Sequence, residues 1–204
     1  MITQALTVGP MATNCYIVFL EKSKRLYIID PGYDGERIVE EVRRFPAYDW
    51  AEILLTHAHV DHISAAGYVA KALNIDGLMM GADDAGIYFS PENEILPYMP
   101  PAEDLPQPYE IETEGFFTAL HTPGHSPGGY SYLFEEDGQS ALFVGDTLFA
   151  GSVGRSDLWG GSHEALISSI KEKLLVLPRL TAVFPGHGAQ TTIGKELVSN
   201  PYLQ

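Results

Sequence analysis

The sequence predicts an α/β sandwich in place of a purely parallel doubly wound sheet. Short runs of β-branched and aromatic residues alternate with stretches of helical periodicity along the 204 residues. Gly, Pro and charged breaks between the runs suit antiparallel hairpins at both ends of the chain. A hydrophobic content of 45% with 11% aromatics is enough to fill a large core. At about 150 residues per domain, a single domain over 1–204 is expected.

Residues 2–8, 15–20 and 25–30 read as strands, separated by Gly9-Pro10 and by Glu21-Lys22-Ser23-Lys24. Asp30-Pro31-Gly32 reads as a turn. Ile38, Val39 and Val42 have helical spacing, so a helix is predicted from Gly35 to Arg44, ending near Pro46. A buried strand over Glu52–Leu55 precedes an Ala-rich helix over Ile63–Leu73. Leu78–Met80 is a strand, and 81–89 a short helix. Six of the 14 prolines fall in residues 90–108, which predicts an excursion or lid without regular structure; with Tyr88, Phe89, Tyr98 and Met99 it is a candidate cap over the pocket, the alternative being a plain surface loop. Strands return at 110–120, 129–134 and 141–145. Ser162 is a natural N-cap for a helix running to about Val176, and Leu180–Phe184 is a last buried strand.

Charge narrows the function classes. Twelve basic against 27 acidic residues give a net charge of −15. Phosphate and anionic membranes are repelled by such a balance, so neither nucleic acid nor a membrane is an expected partner. The acid is local: from Ala72 to Gly154 there are 14 acidic residues and no Lys or Arg. The single Cys15 excludes an internal disulfide and a cysteine-based zinc site, and it suits a reducing cytoplasm. The first residues lack the basic and apolar regions of a signal peptide, and no apolar run approaches a membrane span.

The chemistry lies in the histidines. Thr56-His57-Ala58-His59-Val60-Asp61-His62 places four ligand-type side chains in six residues directly after a strand. Imidazole and carboxylate are common ligands of zinc and iron. Three more strand ends repeat the pattern. They lead to His121-Thr122-Pro123-Gly124-His125, to Asp146, and to Pro185-Gly186-His187-Gly188. His57, His59, Asp61, His62, His125, Asp146 and His187 are too many for one four-coordinate ion. Two divalent ions sharing one carboxylate fit them, each keeping an open position. His121, His163 and Cys15 read as structural.

These residues are where the sequence resembles the metallo-β-lactamase-fold superfamily of dinuclear hydrolases, and within it the small single-domain glyoxalase II (hydroxyacylglutathione hydrolase) enzymes. Thr13-Asn14-Cys15-Tyr16, Asp30-Pro31-Gly32, the segment Gly145 to Asp157, Thr191-Thr192 and Asn200-Pro201 extend the resemblance over nearly the whole chain. It implies a four-layer αβ/βα sandwich with the metal site at the edge of its two sheets. It implies that His57, His59 and His125 hold one ion, Asp61, His62 and His187 the other, and that Asp146 bridges. Zinc is the expected metal, with iron and manganese compatible. The implied reaction is conversion of S-D-lactoylglutathione to D-lactate and glutathione by a metal-bridging hydroxide. Asp61 would orient the nucleophile and Asp146 fix the metal spacing. Arg155 stands near the place of a basic residue that contacts glutathione in that family. The C-terminal helical domain of the larger glyoxalase II enzymes is not expected here. The alternatives within the fold are a lactonase, a β-lactamase, or a mononuclear iron persulfide dioxygenase that would need only His57, His125 and Asp146.

Overall fold

The computed structural model describes residues 1–90, 100, 102–113 and 115–204. They divide into two compact units, Met1–Ile111 and Glu112–Gln204. Of the candidate lid residues, Tyr98 and Met99 lie outside the described residues, Tyr88 is buried with its hydroxyl donating to the Pro106 carbonyl at 2.6 Å, and Phe89 is exposed.

The N-terminal unit is built on a six-stranded sheet. Its strands are β1 (Ile2–Val8), β2 (Thr13–Leu20), β3 (Arg25–Ile29), β4 (Trp50–Leu54), β5 (Gly77–Met79) and β6 (Gln107–Tyr109), in that spatial order. The first three form an antiparallel meander, and β3 to β6 run parallel. Every residue of β2 is buried, as expected for an apolar strand between two neighbours. Helix α1 (Gly35–Val42) buries Ile38, Val39 and Val42, the positions whose spacing predicted it. It packs on α3 (Ala66–Leu73), which ends at Asn74 in the left-handed conformation.

The single helix expected over Ile63–Leu73 is instead two. A short α2 (Val60–Ile63) is separated from α3 because Ser64 Oγ donates to the Val60 carbonyl at 2.6 Å, and the Ala65 N–H turns to the Pro31 carbonyl at 2.9 Å. The segment expected to lack regular structure ends in a strand, β6, paired with β5 despite Pro108. As an edge strand it tolerates the missing N–H. After Ala82–Asp84, a 3₁₀ turn, comes α4 (Ala85–Tyr88).

The C-terminal unit carries a five-stranded sheet ordered β13-β12-β9-β8-β7. Its strands are β7 (Thr118–His121), β8 (Tyr130–Glu136), β9 (Gln139–Gly145), β12 (Ala182–Pro185) and β13 (Thr191–Thr192). A separate small hairpin pairs β10 (Leu148–Phe149) with β11 (Ser152–Val153). The strand expected over 110–120 begins only at Thr118. Alternation along β9 separates two faces. Leu142 and Val144 join Leu166, Ile170, Val183 and Ile193 in an aliphatic core. Phe143 lies in an aromatic row with Phe134 and Phe184. Ser162 caps α5 (His163–Ser169), accepting from the Ala165 N–H at 3.3 Å, and the helix continues as a π turn over Ile170–Leu174. α6 (Ile193–Ser199) starts from the Thr192 cap. Among the described residues no helix is long and apolar enough to cross a membrane.

Candidate metal centre

In the N-terminal unit, β4 delivers its last residues to a loop that opens α2. His57 and His59 lie on the loop; Asp61 and His62 lie on the helix. All four are buried, at 3, 5, 1 and 0% exposure. The His57 ring centre is 4.7 Å from that of His59 and 4.1 Å from that of His62.

Asp30, at the end of β3 in the left-handed region (φ 52°), organises this group. Its Oδ1 accepts from the Thr56 N–H at 2.7 Å. Its Oδ2 accepts from the Thr56 hydroxyl at 2.6 Å and from His62 Nδ1 at 2.9 Å. A carboxylate oxygen accepts, so His62 carries its proton on Nδ1. The Thr56 hydroxyl gives its one proton to Asp30, so its 3.0 Å contact with His57 Nδ1 leaves His57 as the donor. Both rings therefore offer the Nε2 lone pair to a ligand. Asp30, His57 and His62 present ligand atoms within 4.8 Å of one another, yet Asp30 is committed to these hydrogen bonds and acts by orienting the rings.

The other contacts serve the same end. Asp61 Oδ2 accepts from Thr13 Oγ1 at 3.0 Å. It lies 3.4 Å from His62 Nε2. That is beyond a good hydrogen bond and matches the roughly 3.4 Å between donors around a tetrahedral ion with bonds near 2.1 Å. The buried Asp84 accepts from the Ala58 N–H at 3.0 Å, pinning the backbone between His57 and His59. Gly32 is required: a Cβ there would sit 1.8 Å from the Asp61 carbonyl oxygen.

In the C-terminal unit the ligand-type residues come from separate strand ends. His125 follows β7, Asp146 follows β9 and His187 follows β12. The Gly186 N–H donates to the Gly145 carbonyl at 2.8 Å and sets the ends of β12 and β9 side by side. His125 Nδ1 donates to the Arg155 carbonyl at 2.8 Å, which again turns the Nε2 lone pair outward as a potential metal donor. Asp146 Oδ2 lies 3.8 Å from His125 Nε2 and 3.6 Å from His187 Nε2. One carboxylate oxygen thus stands between two imidazole nitrogens, at separations too long for hydrogen bonds and suited to ligation. Gly154 is required in its turn, since a Cβ would fall 1.7 Å from the Asp146 carbonyl oxygen.

Arg155 contributes its carbonyl to this group, while its guanidinium is taken up by Asp157. Nε donates to Oδ1 at 2.8 Å and a terminal nitrogen to Oδ2 at 2.9 Å. The hydrogen bond from Arg155 holds the Asp157 carboxyl down at about 2. His121 Nε2 bonds the Pro127 carbonyl at 3.0 Å and its ring lies against Tyr130, a structural role. Cys15 is buried, and burial followed by the nearby charge of Asp30 raises its thiol pKa.

Sequence reasoning missed the orienting residues. Asp30 read as a turn and as part of the family resemblance, with no role at the site, although an acid directly after an apolar strand repeats the pattern seen at Asp146. Thr13 stood out only within the family resemblance and Asp84 not at all, because their partners Asp61 and Ala58 are distant in sequence.

Each unit thus presents imidazole and carboxylate donors at strand ends, with His57, His62 and His125 bonded through Nδ1. This donor chemistry fits divalent cations, and it marks a metal-dependent protein on a mixed α/β scaffold. The sequence matches the metallo-beta-lactamase superfamily over residues 8–187, and the chain belongs to that superfamily. It is 34% identical to the hydroxyacylglutathione hydrolase GloC of Haemophilus influenzae, over 98% of this chain and 97% of that protein. Its structure is similar to that of the BLEG-1 B3 metallo-beta-lactamase, with a TM-score of 0.87 and 36% identity over the full length of both chains. TTHA1623, solved in a di-iron-bound form, gives a TM-score of 0.83 at 36% identity, over 98% of this chain and 100% of that one. The expected fold class is thereby confirmed: two sheets with their helices form the metallo-β-lactamase fold, and the chain is a metallo-hydrolase of that superfamily.

Proposed function

We propose that residues 1–204 act as one catalytic domain, a dinuclear thioester hydrolase that converts S-D-lactoylglutathione to D-lactate and glutathione. In this reading His57, His59 and His125 hold one divalent ion, Asp61, His62 and His187 hold a second, and Asp146 is shared. The observation that carries it is the common setting of His57, His62 and His125. Each has Nδ1 engaged by a protein oxygen and Nε2 left as the ligand atom. Likeness along nearly the whole chain to a hydroxyacylglutathione hydrolase supports the substrate class.

When bound, two such ions supply Lewis acidity and water of pKa lowered to about 7. The chain's own residues supply position. Thr13 fixes one oxygen of Asp61, leaving the carboxylate set to orient the attacking water. Asp146, between His125 and His187, fixes the spacing. Arg155 is the proposed substrate contact, and a substrate carboxylate would have to replace Asp157 as its partner. Zinc is the proposed ion, and the di-iron neighbour makes iron the alternative to test. Cytoplasmic action is proposed on the single buried cysteine.

The test is turnover by the metal-loaded protein. S-D-lactoylglutathione should be hydrolysed, and Asp61→Asn should lower kcat by about 100-fold or more. Metal-loaded protein inert to this thioester but consuming oxygen with a glutathione persulfide would overturn the hydrolase reading in favour of the dioxygenase.

A further inference from the structure

One group in the C-terminal unit has no place in the chemistry above. Glu196, on α6, is fully buried, although neighbouring positions of this short helix are exposed. A buried carboxylate is costly where a leucine would pack, unless its oxygens are bonded. Here they are bonded, by two other segments and by the end of α6 itself. Oε1 accepts from the Thr191 hydroxyl. Oε2 accepts from the Gly151 N–H at 2.8 Å and from Asn200 Nδ2 at 2.9 Å. Asn200, also fully buried, donates in addition to the Ser152 carbonyl at 3.0 Å.

Two of these segments, the hairpin and β13, lead to ligand-type residues. Gly151 and Ser152 lie in the β10–β11 hairpin, which starts just after Asp146 and ends just before Gly154 and Arg155. The Gly154 N–H bonds the Thr147 carbonyl at 3.2 Å, and Gly154 lies too close to the Asp146 carbonyl to admit a side chain. The Arg155 carbonyl holds His125. Thr191 opens β13, which pairs with β12, and His187 lies in the loop between them. A shift of the hairpin therefore displaces Asp146 and His125, and a shift of β13 displaces His187.

We propose that Glu196 is a positioning residue for the metal centre, a buried clamp that joins α6 to the hairpin and to β13 and so sets His125, Asp146 and His187 relative to one another. This rests on the metal-centre reading of those three residues and is independent of the substrate.

The chemistry of the clamp distinguishes substitutions. In Glu196→Gln the amide oxygen still accepts from Gly151 and Asn200, and the amide nitrogen donates to a Thr191 hydroxyl that rotates to receive it. In Glu196→Asp the carboxylate is one methylene short of its donors, and in Glu196→Leu it is gone. The probe is cobalt(II) alone, added to metal-stripped protein. Its visible spectrum reports ligand geometry, and chelator competition reports affinity. Glu196→Gln should keep the parent spectrum and an affinity within about twofold, while Glu196→Asp and Glu196→Leu should lose about 10-fold or more with a changed spectrum. Near-UV circular dichroism establishes folding, and if Glu196→Leu does not fold, Glu196→Asp decides. A folded Glu196→Asp with parent spectrum and affinity would overturn the proposal. Parent protein that binds cobalt but hydrolyses no thioester would instead overturn the proposed substrate and leave the clamp standing.

Discussion

The two units assemble their ligand-type side chains in opposite ways. In the N-terminal unit four ligand-type residues fall between positions 57 and 62, all of them buried. Side chains from other elements orient them: Asp30 after β3, Thr13 of β2, and Asp84 before α4. In the C-terminal unit three residues are drawn from positions 125 to 187, and the His187 side chain is 26% exposed. There the orienting groups are the Arg155 carbonyl and the loops that Glu196 ties down. A contiguous set is brought together by its own loop, and its fine control is by hydrogen bonds from other elements. A dispersed set exists only when distant segments close together, so its control is by backbone position.

The largest effects should erase the contrast. His57→Ala in one unit and Asp146→Ala in the other should both abolish metal binding and turnover together, each by more than about 100-fold. Metal analysis and thioester assay on the same samples check this, and a variant that is metal-free yet fully active would break the account. Next, Asp30→Ala removes the acceptor for two Thr56 protons and for His62. It should cost about 2–3 kcal/mol of stability in denaturant and weaken metal binding by about 10–100-fold in chelator competition.

A smaller effect sharpens the comparison. Gly32→Ala and Gly154→Ala each drive a Cβ against a ligand's carbonyl oxygen, at a cost of about 1–3 kcal/mol. Gly32→Ala should appear mainly as lost stability, because Asp61 is held among buried groups. Gly154→Ala should appear mainly as lost metal, because Asp146 is placed by the backbone of the loop that the Gly154 N–H closes on the Thr147 carbonyl. Equal behaviour in the two assays would remove the distinction between the units. The smallest effect concerns Cys15. Its raised pKa keeps the thiol protonated at neutral pH, so an aromatic disulfide reagent should not react until guanidinium unfolds the chain. Fast reaction in the native state would contradict the closed packing of the N-terminal unit.

What could be read from sequence follows the same division. His57, His59, Asp61 and His62 were legible because their density within one turn of chain has no purpose in an ordinary loop. His125, Asp146 and His187 were legible because each follows an apolar strand and a backbone-shaping Gly or Pro. Asp30 was read as a turn because its partners Thr56 and His62 lie at least 26 positions away. The break between α2 and α3 was missed because the Pro31 carbonyl that captures the Ala65 N–H is also remote. β13 and α6 were missed because a two-residue strand has no periodicity, and because Glu196 looks like a surface acid until its donors are known. The acidic stretch from Ala72 to Gly154 resolves in part as well. Within it Asp84 and Asp146 are structural and ligand-type groups, not a solvated face.

The central claim is that seven side chains, His57, His59, Asp61, His62, His125, Asp146 and His187, hold two divalent ions. The most direct test is elemental analysis of the protein after reconstitution with zinc, iron or manganese and removal of free metal. Two ions per chain is the result this account predicts, and one ion or none per chain with every metal would contradict it.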